Sequence, residues 1–224
     1  MLLAKSDSGH GERRQEPLGL FTSLPILWSE QADLRAMLAT PTPPHWARGA
    51  LTENGQLVAL DTLLDLSHFE RLVIAQPRPL SPDENVALDA WVRGGGRLLM
   101  FADPMLTQES AYSLGDRRRP QDVVLLSPIL SRWGLQLQFD DMQPAGLREN
   151  AGEGVAVDLP GQLTVVGGGV GAQCLIGAEA LVARCSVGKG RATIVADAAV
   201  LSNDGDSSAK KRQLDALLVD AFTR

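Results

Sequence analysis

The chain has 224 residues, 44% hydrophobic and 21% charged, which is enough apolar material to bury a core, and no low-complexity tract interrupts it. A net charge of −6 and a pI near 5.1 exclude a broadly basic surface, and with it nucleic acid or an anionic membrane as the main partner. No run approaches the roughly eighteen uninterrupted apolar residues of a membrane-spanning helix, and Met1-Leu2-Leu3-Ala4 is too short for a signal-peptide core.

As written, the chain therefore reads as soluble. It would be periplasmic or cell-envelope if an N-terminal anchor has been removed, and cytoplasmic otherwise. Residues 1–17 read as a disordered polar lead and 18–224 as a single α/β domain. The fold is expected to begin with a strand at Leu18–Leu24, closed by Pro25. A short helix is expected over Glu30–Leu38, stopped by Thr40-Pro-Thr-Pro-Pro44, and a second strand over Leu57–Leu60.

The middle of the chain is the most explicit. Leu72-Val-Ile-Ala75 is an apolar, β-favouring run ended by Pro77 and Pro79. Ser81-Pro82-Asp83-Glu84 supplies a serine N-cap, a proline at the first helical position and a glutamate placed for a capping box. That helix runs to about Arg93, where Gly94, Gly95 and Gly96 stop it, and Leu98-Leu-Met-Phe-Ala102 is the next strand. Strand, capped helix and strand make a βαβ unit with parallel strands and a right-handed crossover.

Ser127-Pro128 repeats the cap-then-proline signal for a short helix to Trp133, and Leu135–Phe139 is a further strand. Glycines multiply from Gly146 to Val187 among short β-type runs, which predicts a β-rich insertion in the C-terminal half. Gly188-Lys189-Gly190 is a turn into the strand Arg191–Ala196, and Ser208–Phe222 is an amphipathic closing helix with Leu214, Leu217, Leu218 and Phe222 on one face.

Signals for chemistry are few. His10, His45 and His68 have no Cys, His or carboxylate partner at metal-ligand spacing, and no Gly-x-Ser-x-Gly elbow occurs. Asp140 and Asp141 are adjacent, a poor spacing for a shared acid–base role. Val165-Val-Gly-Gly-Gly-Val-Gly-Ala172 matches a dinucleotide fingerprint after a strand, but its helix would carry Gly177 mid-length, so a glycine-rich connection between strands is expected. Arg117, Arg118 and Arg119 read as a solvated loop. Cys174 and Cys185 sit in apolar stretches and are expected as buried free thiols, with a disulfide geometrically possible across a hairpin.

Two stretches resemble a known family. Leu72-Val-Ile-Ala-Gln-Pro, then Leu80-Ser-Pro-Asp-Glu through Gly-Gly-Gly-Arg-Leu-Leu-Met-Phe-Ala-Asp-Pro104, is similar to the core of gliding-motility-type ABC transporter auxiliary proteins. Gly188-Lys-Gly-Arg through Ala-Asp-Ala-Ala-Val-Leu-Ser-Asn203 resembles that family's closing strand, and Leu126–Phe139 its short helix and strand, so the likeness runs in order over about 55–220. The resemblance implies a flavodoxin-like, class I glutamine amidotransferase-like sheet, largely parallel. It also implies a non-catalytic accessory module of an ABC-type transport system, working by protein–protein contacts with permease or ATPase components. Family members commonly carry flanking membrane helices, which this sequence does not show.

The nucleophile turn of active amidotransferases would fall at Asp103-Pro104, where no cysteine stands, and no histidine lies beyond His68. No catalytic residue, metal ligand or cofactor is therefore expected. The expected contact site is the crevice at the carboxyl ends of the parallel strands, with Ser23, Trp28, Asp103, Pro104, Asp197 and Asn203 as its candidate residues. Local turn capping is the alternative role of Asp103 and Asp197. A small-molecule receptor using the same crevice, or an unrecognised hydrolase, is the alternative function. Nothing in the sequence sets the oligomeric state.

Overall fold

A seven-stranded sheet organises the protein, whose computed structural model describes residues 16–30 and 43–223. The lead over residues 1–17 and the helix expected over Glu30–Leu38, with its proline stop, lie largely outside the described residues. The central strands β1 (Pro17–Thr22), β3 (Arg71–Ala75) and β4 (Arg97–Phe101) run parallel to one another. β2 (Gln56–Ala59) extends the parallel set beyond β1, and β11 (Gly190–Val195) extends it beyond β4. Leu72–Ala75 and Leu98–Phe101 are buried along their whole length, which is why they appear in sequence as continuous apolar runs rather than alternating ones.

Helices α1 (Trp46–Glu53) and α4 (Ser207–Thr223) pack on each other, as do α2 (Pro82–Gly94) and α3 (Ser127–Arg132). The capping box of α2 forms as its sequence predicts: Ser81 Oγ accepts from the Glu84 amide, and Glu84 accepts from the Ser81 amide. Glu84 is also buried against Arg78, whose guanidinium holds its carboxyl down at about 2. The end is a Gly95 at φ 126, a conformation that disfavours any side chain. Ser127, by contrast, is not a cap. It is the first helical residue of α3, and Leu126 ahead of it makes no side-chain cap bond. The buried Asp89 carboxylate fastens α3 to α2 by accepting from Arg93 Nε at 2.9 Å, Arg132 Nε at 2.5 Å and Trp133 Nε1 at 2.8 Å.

The glycine-rich second half is β-rich, but it divides. β5 (Leu135–Gln138) pairs with β8 (Gln162–Val165), and β6 (Arg148–Asn150) with β7 (Val155–Val157), as two small antiparallel ladders. The last strands of the same stretch instead join the main sheet: β10 (Val182–Val187) pairs antiparallel with β11, and β9 (Ala172–Ile176) antiparallel with β10, which completes the order β2-β1-β3-β4-β11-β10-β9. The fingerprint at 165–172 leads into β9 and not into a helix, so it is a strand connection.

Cys174 and Cys185 face each other in the β9–β10 register and are bonded, with Cα atoms 4.0 Å apart. This corrects the free-thiol expectation: hairpin pairing puts two residues eleven apart directly opposite, which apolar flanks alone do not reveal. Gly188 turns the next hairpin with φ 60, while Gly190 serves close approach, since a Cβ there would stand 2.0 Å from the Val92 carbonyl oxygen.

Candidate functional site

In a parallel sheet, the loops leaving neighbouring strands diverge where the strand order reverses, and here that point lies between the ends of β1 and β3. The two loops are stitched together rather than left open. Ser23 donates from Oγ to the Gln76 carbonyl at 2.5 Å and accepts from the Gln121 amide at 3.0 Å. Gln76 is wholly buried at φ 43, a left-handed conformation rare for a side chain of this size. Its carboxamide clasps the turn after β4: Oε1 accepts from the Asp103 amide at 2.9 Å, and Nε2 donates to the Asp103 carbonyl at 3.0 Å and the Gln121 carbonyl at 2.7 Å.

Asp103 and Asp197 each stand two residues beyond the adjacent strands β4 and β11 and do come together, but both are 1% exposed. Asp103 spends Oδ1 on the Met105 amide at 2.8 Å and Oδ2 on the Ala198 amide at 3.2 Å. Asp197 accepts from the Ala199 amide at 2.5 Å and from the Asp158 amide at 2.9 Å. All four oxygens thus cap backbone, which is the local alternative rather than a solvent-facing acidic rim. Burial is the main reason both carboxyls titrate high: Asp103 is pushed up to about 6, and Asp197 well above the ordinary range, with the Asp103 charge as its second cause.

The open part of this edge is a cleft of about 440 Å³ between the loops after β1, β4 and β11 and the start of α1. Trp28, 40% exposed, and Asn203, exposed, both line it. Pro104 lies elsewhere, in a groove of about 550 Å³ beside β5 and α3. Of the six candidate residues, then, two line the cleft and three form the bonded strand ends beneath it, with Pro104 apart.

Residues missed in the sequence complete the cleft. His45 caps α1 by accepting from the Ala47 amide on Nδ1 at 3.2 Å, and burial holds its pKa down to about 4, against a hydrogen bond to the Leu201 backbone. Trp46 Nε1 donates to the Ser202 carbonyl at 3.0 Å, and the buried Lys210 Nζ donates to the same carbonyl at 3.3 Å and to Ser202 Oγ at 2.5 Å. The run Pro43-Pro44-His45-Trp46 was a usable signal, since helix starts collect at strand carboxyl ends. Gln76 gave none. Among the described residues, no group of three or more His, Cys, Asp or Glu is placed to hold a metal ion.

A family model described as an ABC-type uncharacterized transport system matches residues 50–145, from α1 to just beyond β5, and supports the auxiliary-transporter resemblance. No curated protein matches the chain. Among solved structures, an exo-β-1,4-mannosidase from an Opitutaceae bacterium is similar at TM-score 0.52 and 18% identity, over 92% of this chain and 36% of that one. A GH42 β-galactosidase from G. stearothermophilus is similar at TM-score 0.50 and 12% identity, over 93% of this chain and 30% of that one. The chain thus spans about a third of those proteins, and the likeness concerns the fold alone.

Proposed function

We propose that this chain, similar over residues 50–145 to an ABC-type transport family, is a non-catalytic accessory module that contacts transporter components through its strand-end cleft. The family match carries the reading. The parallel order β2-β1-β3-β4-β11 supports it, because it is the 2-1-3-4-5 order of flavodoxin-like sheets, the frame the resemblance implies for an amidotransferase-like domain.

Three features favour binding over catalysis. The turn at Asp103-Pro104 has its backbone clasped by Gln76 and its carboxylate oxygens on amides, and left-handed strain falls on Gln76 instead. Both cysteines are bonded to each other. His45, the histidine at the cleft, is committed to capping α1. The Cys174–Cys185 bridge further supports residence on an oxidising side of the membrane, in the periplasm or cell envelope. No helix among the described residues is long and apolar enough to cross a membrane.

The test is co-purification of tagged protein with the permease and ATPase of a co-expressed transporter, beside glutaminase and esterase assays. The reading expects retained transporter subunits, weakened by Trp28→Ala, and hydrolysis at buffer level. A reproducible hydrolytic turnover with no retained subunit would overturn it.

A further inference from the structure

Several groups that line the cleft have no donor left to offer. Pro25, Pro43 and Pro44 form walls that carry no N–H. Trp46 Nε1 is committed to the Ser202 carbonyl, and His45, with a pKa lowered to about 4 by burial, is neutral at physiological pH and presents its Nδ1 to the Ala47 amide. The rest of the described lining includes the exposed Glu109 carboxylate, the carboxamides of Gln108 and Asn203, the hydroxyls of Ser29 and Ser207, and the half-exposed Trp28 indole.

Charge points the same way. No Lys or Arg is among the described lining residues. Glu30, also in the lining, accepts from Ser110 Oγ at 2.9 Å and from the Ala111 amide at 2.7 Å. Arg119, which lies near Glu30, is itself paired with Asp122 at 2.9 Å. Lys210 is buried behind Ser202 within reach of the Asp204 and Asp197 charges. Asp204 and Asp206 are exposed on the loop between the lining residues Asn203 and Ser207. An anion would meet carboxylates and, among the described lining residues, no Lys or Arg to offset them, whereas a cation would meet carboxylates, carboxamide oxygens and an aromatic face.

We infer that the cleft receives an arginine-bearing segment of a partner protein, its guanidinium read by the Trp28 indole and the Glu109 carboxylate. Arginine suits the site better than lysine because its planar, weakly hydrated head stacks on an aromatic ring while forking onto a carboxylate. This rests on the cleft being the contact surface of the accessory module.

The probes are capped Gly-Arg-Gly and Gly-Glu-Gly peptides, titrated against the full chain and followed by tryptophan fluorescence and calorimetry. Trp28→Phe, Glu109→Gln and the distant surface variant Gln56→Ala are compared, with circular dichroism confirming the fold of each. The arginine peptide is expected to bind wild type and Gln56→Ala alike. Affinity measured by calorimetry should weaken about tenfold in Glu109→Gln and about threefold in Trp28→Phe, in which Trp46 still lines the cleft. The glutamate peptide should give no response. Equal binding of both peptides, no binding of either, or arginine binding unchanged in both cleft variants overturns the inference. Trp28-dependent retention of transporter subunits without arginine binding would leave the accessory reading standing and remove this one. Arginine binding without any retained subunit would do the reverse.

Discussion

At the scale of single residues, Gln76 decides the geometry of the strand ends. A left-handed φ of 43 costs about 1–2 kcal/mol for a residue with a Cβ, and the residue before a proline is ordinarily biased towards extended backbone instead. The conformation persists because it aims a buried carboxamide at the Asp103 amide and carbonyl and at the Gln121 carbonyl. Removing that carboxamide leaves buried backbone groups unpaired, so Gln76→Ala should destabilise the protein by about 3 kcal/mol in urea unfolding. Gln76→Gly loses the same bonds but relieves the strained φ, and should lose about 1 kcal/mol less than the alanine variant. An alanine variant of wild-type stability would show that the clasp contributes nothing. No sequence pattern announces such a residue, because its role comes from three loops meeting in space. Asp103 and Asp197 were legible as strand ends and as spatial neighbours, yet their burial was not, since an aspartate after an apolar run looks the same whether it caps a turn or faces solvent.

At the scale of elements, the strands that could be read were those buried on both faces. Leu72–Ala75, Leu98–Phe101 and the capped α2 between them carry their own start, stop and period, and each formed where its residues predict. The β-rich half was harder. β6, Arg148-Glu149-Asn150, has no apolar signature, and its pairing with β7 depends on a hairpin that only the folded chain defines. β9 and β10 look like insertion in the sequence but complete the sheet, and their register brings Cys174 opposite Cys185. A cross-link closing so short a loop is worth about 2–3 kcal/mol through the unfolded chain. Denatured protein should therefore show no free thiol before reduction and two after it. The Cys174→Ser, Cys185→Ser double variant should unfold at lower denaturant by a margin of that size. Two reactive thiols in unreduced, denatured protein would contradict the bridge.

At the scale of the whole molecule, buried titratable groups at one sheet edge set opposed pH dependences. Asp103 titrates near 6 in the folded state, above its ordinary 3.8, so the folded protein holds more protons and stability falls as pH rises between those values. That window corresponds to about 3 kcal/mol, and the raised Asp197 carboxyl acts in the same direction. His45 has the opposite sign: its folded pKa of about 4, below the usual 6.5, makes stability rise with pH across nearly the same range. Glu84, held down to about 2, contributes stability above its ordinary 4.5 that is lost only as pH falls towards 2. Wild type should accordingly lose stability as pH rises between about 4 and 6, with His45 offsetting part of the fall. Asp103→Asn should make that fall shallower, and His45→Asn, which keeps a capping side chain, should make it steeper. Melting temperatures across pH 4–7 for the three proteins check both signs, and parallel profiles would refute the opposition.

The claim on which the account turns is that the strand-end cleft touches a transport component, and a cross-link read out from within the cleft tests it most directly. A benzophenone amino acid placed at position 28, with position 56 on β2 as the control, would be irradiated in cells expressing the cognate transporter, and the adducts identified by mass. The account predicts a permease adduct from position 28 and none from position 56. Adducts of equal yield from both positions, or none from position 28, would contradict it.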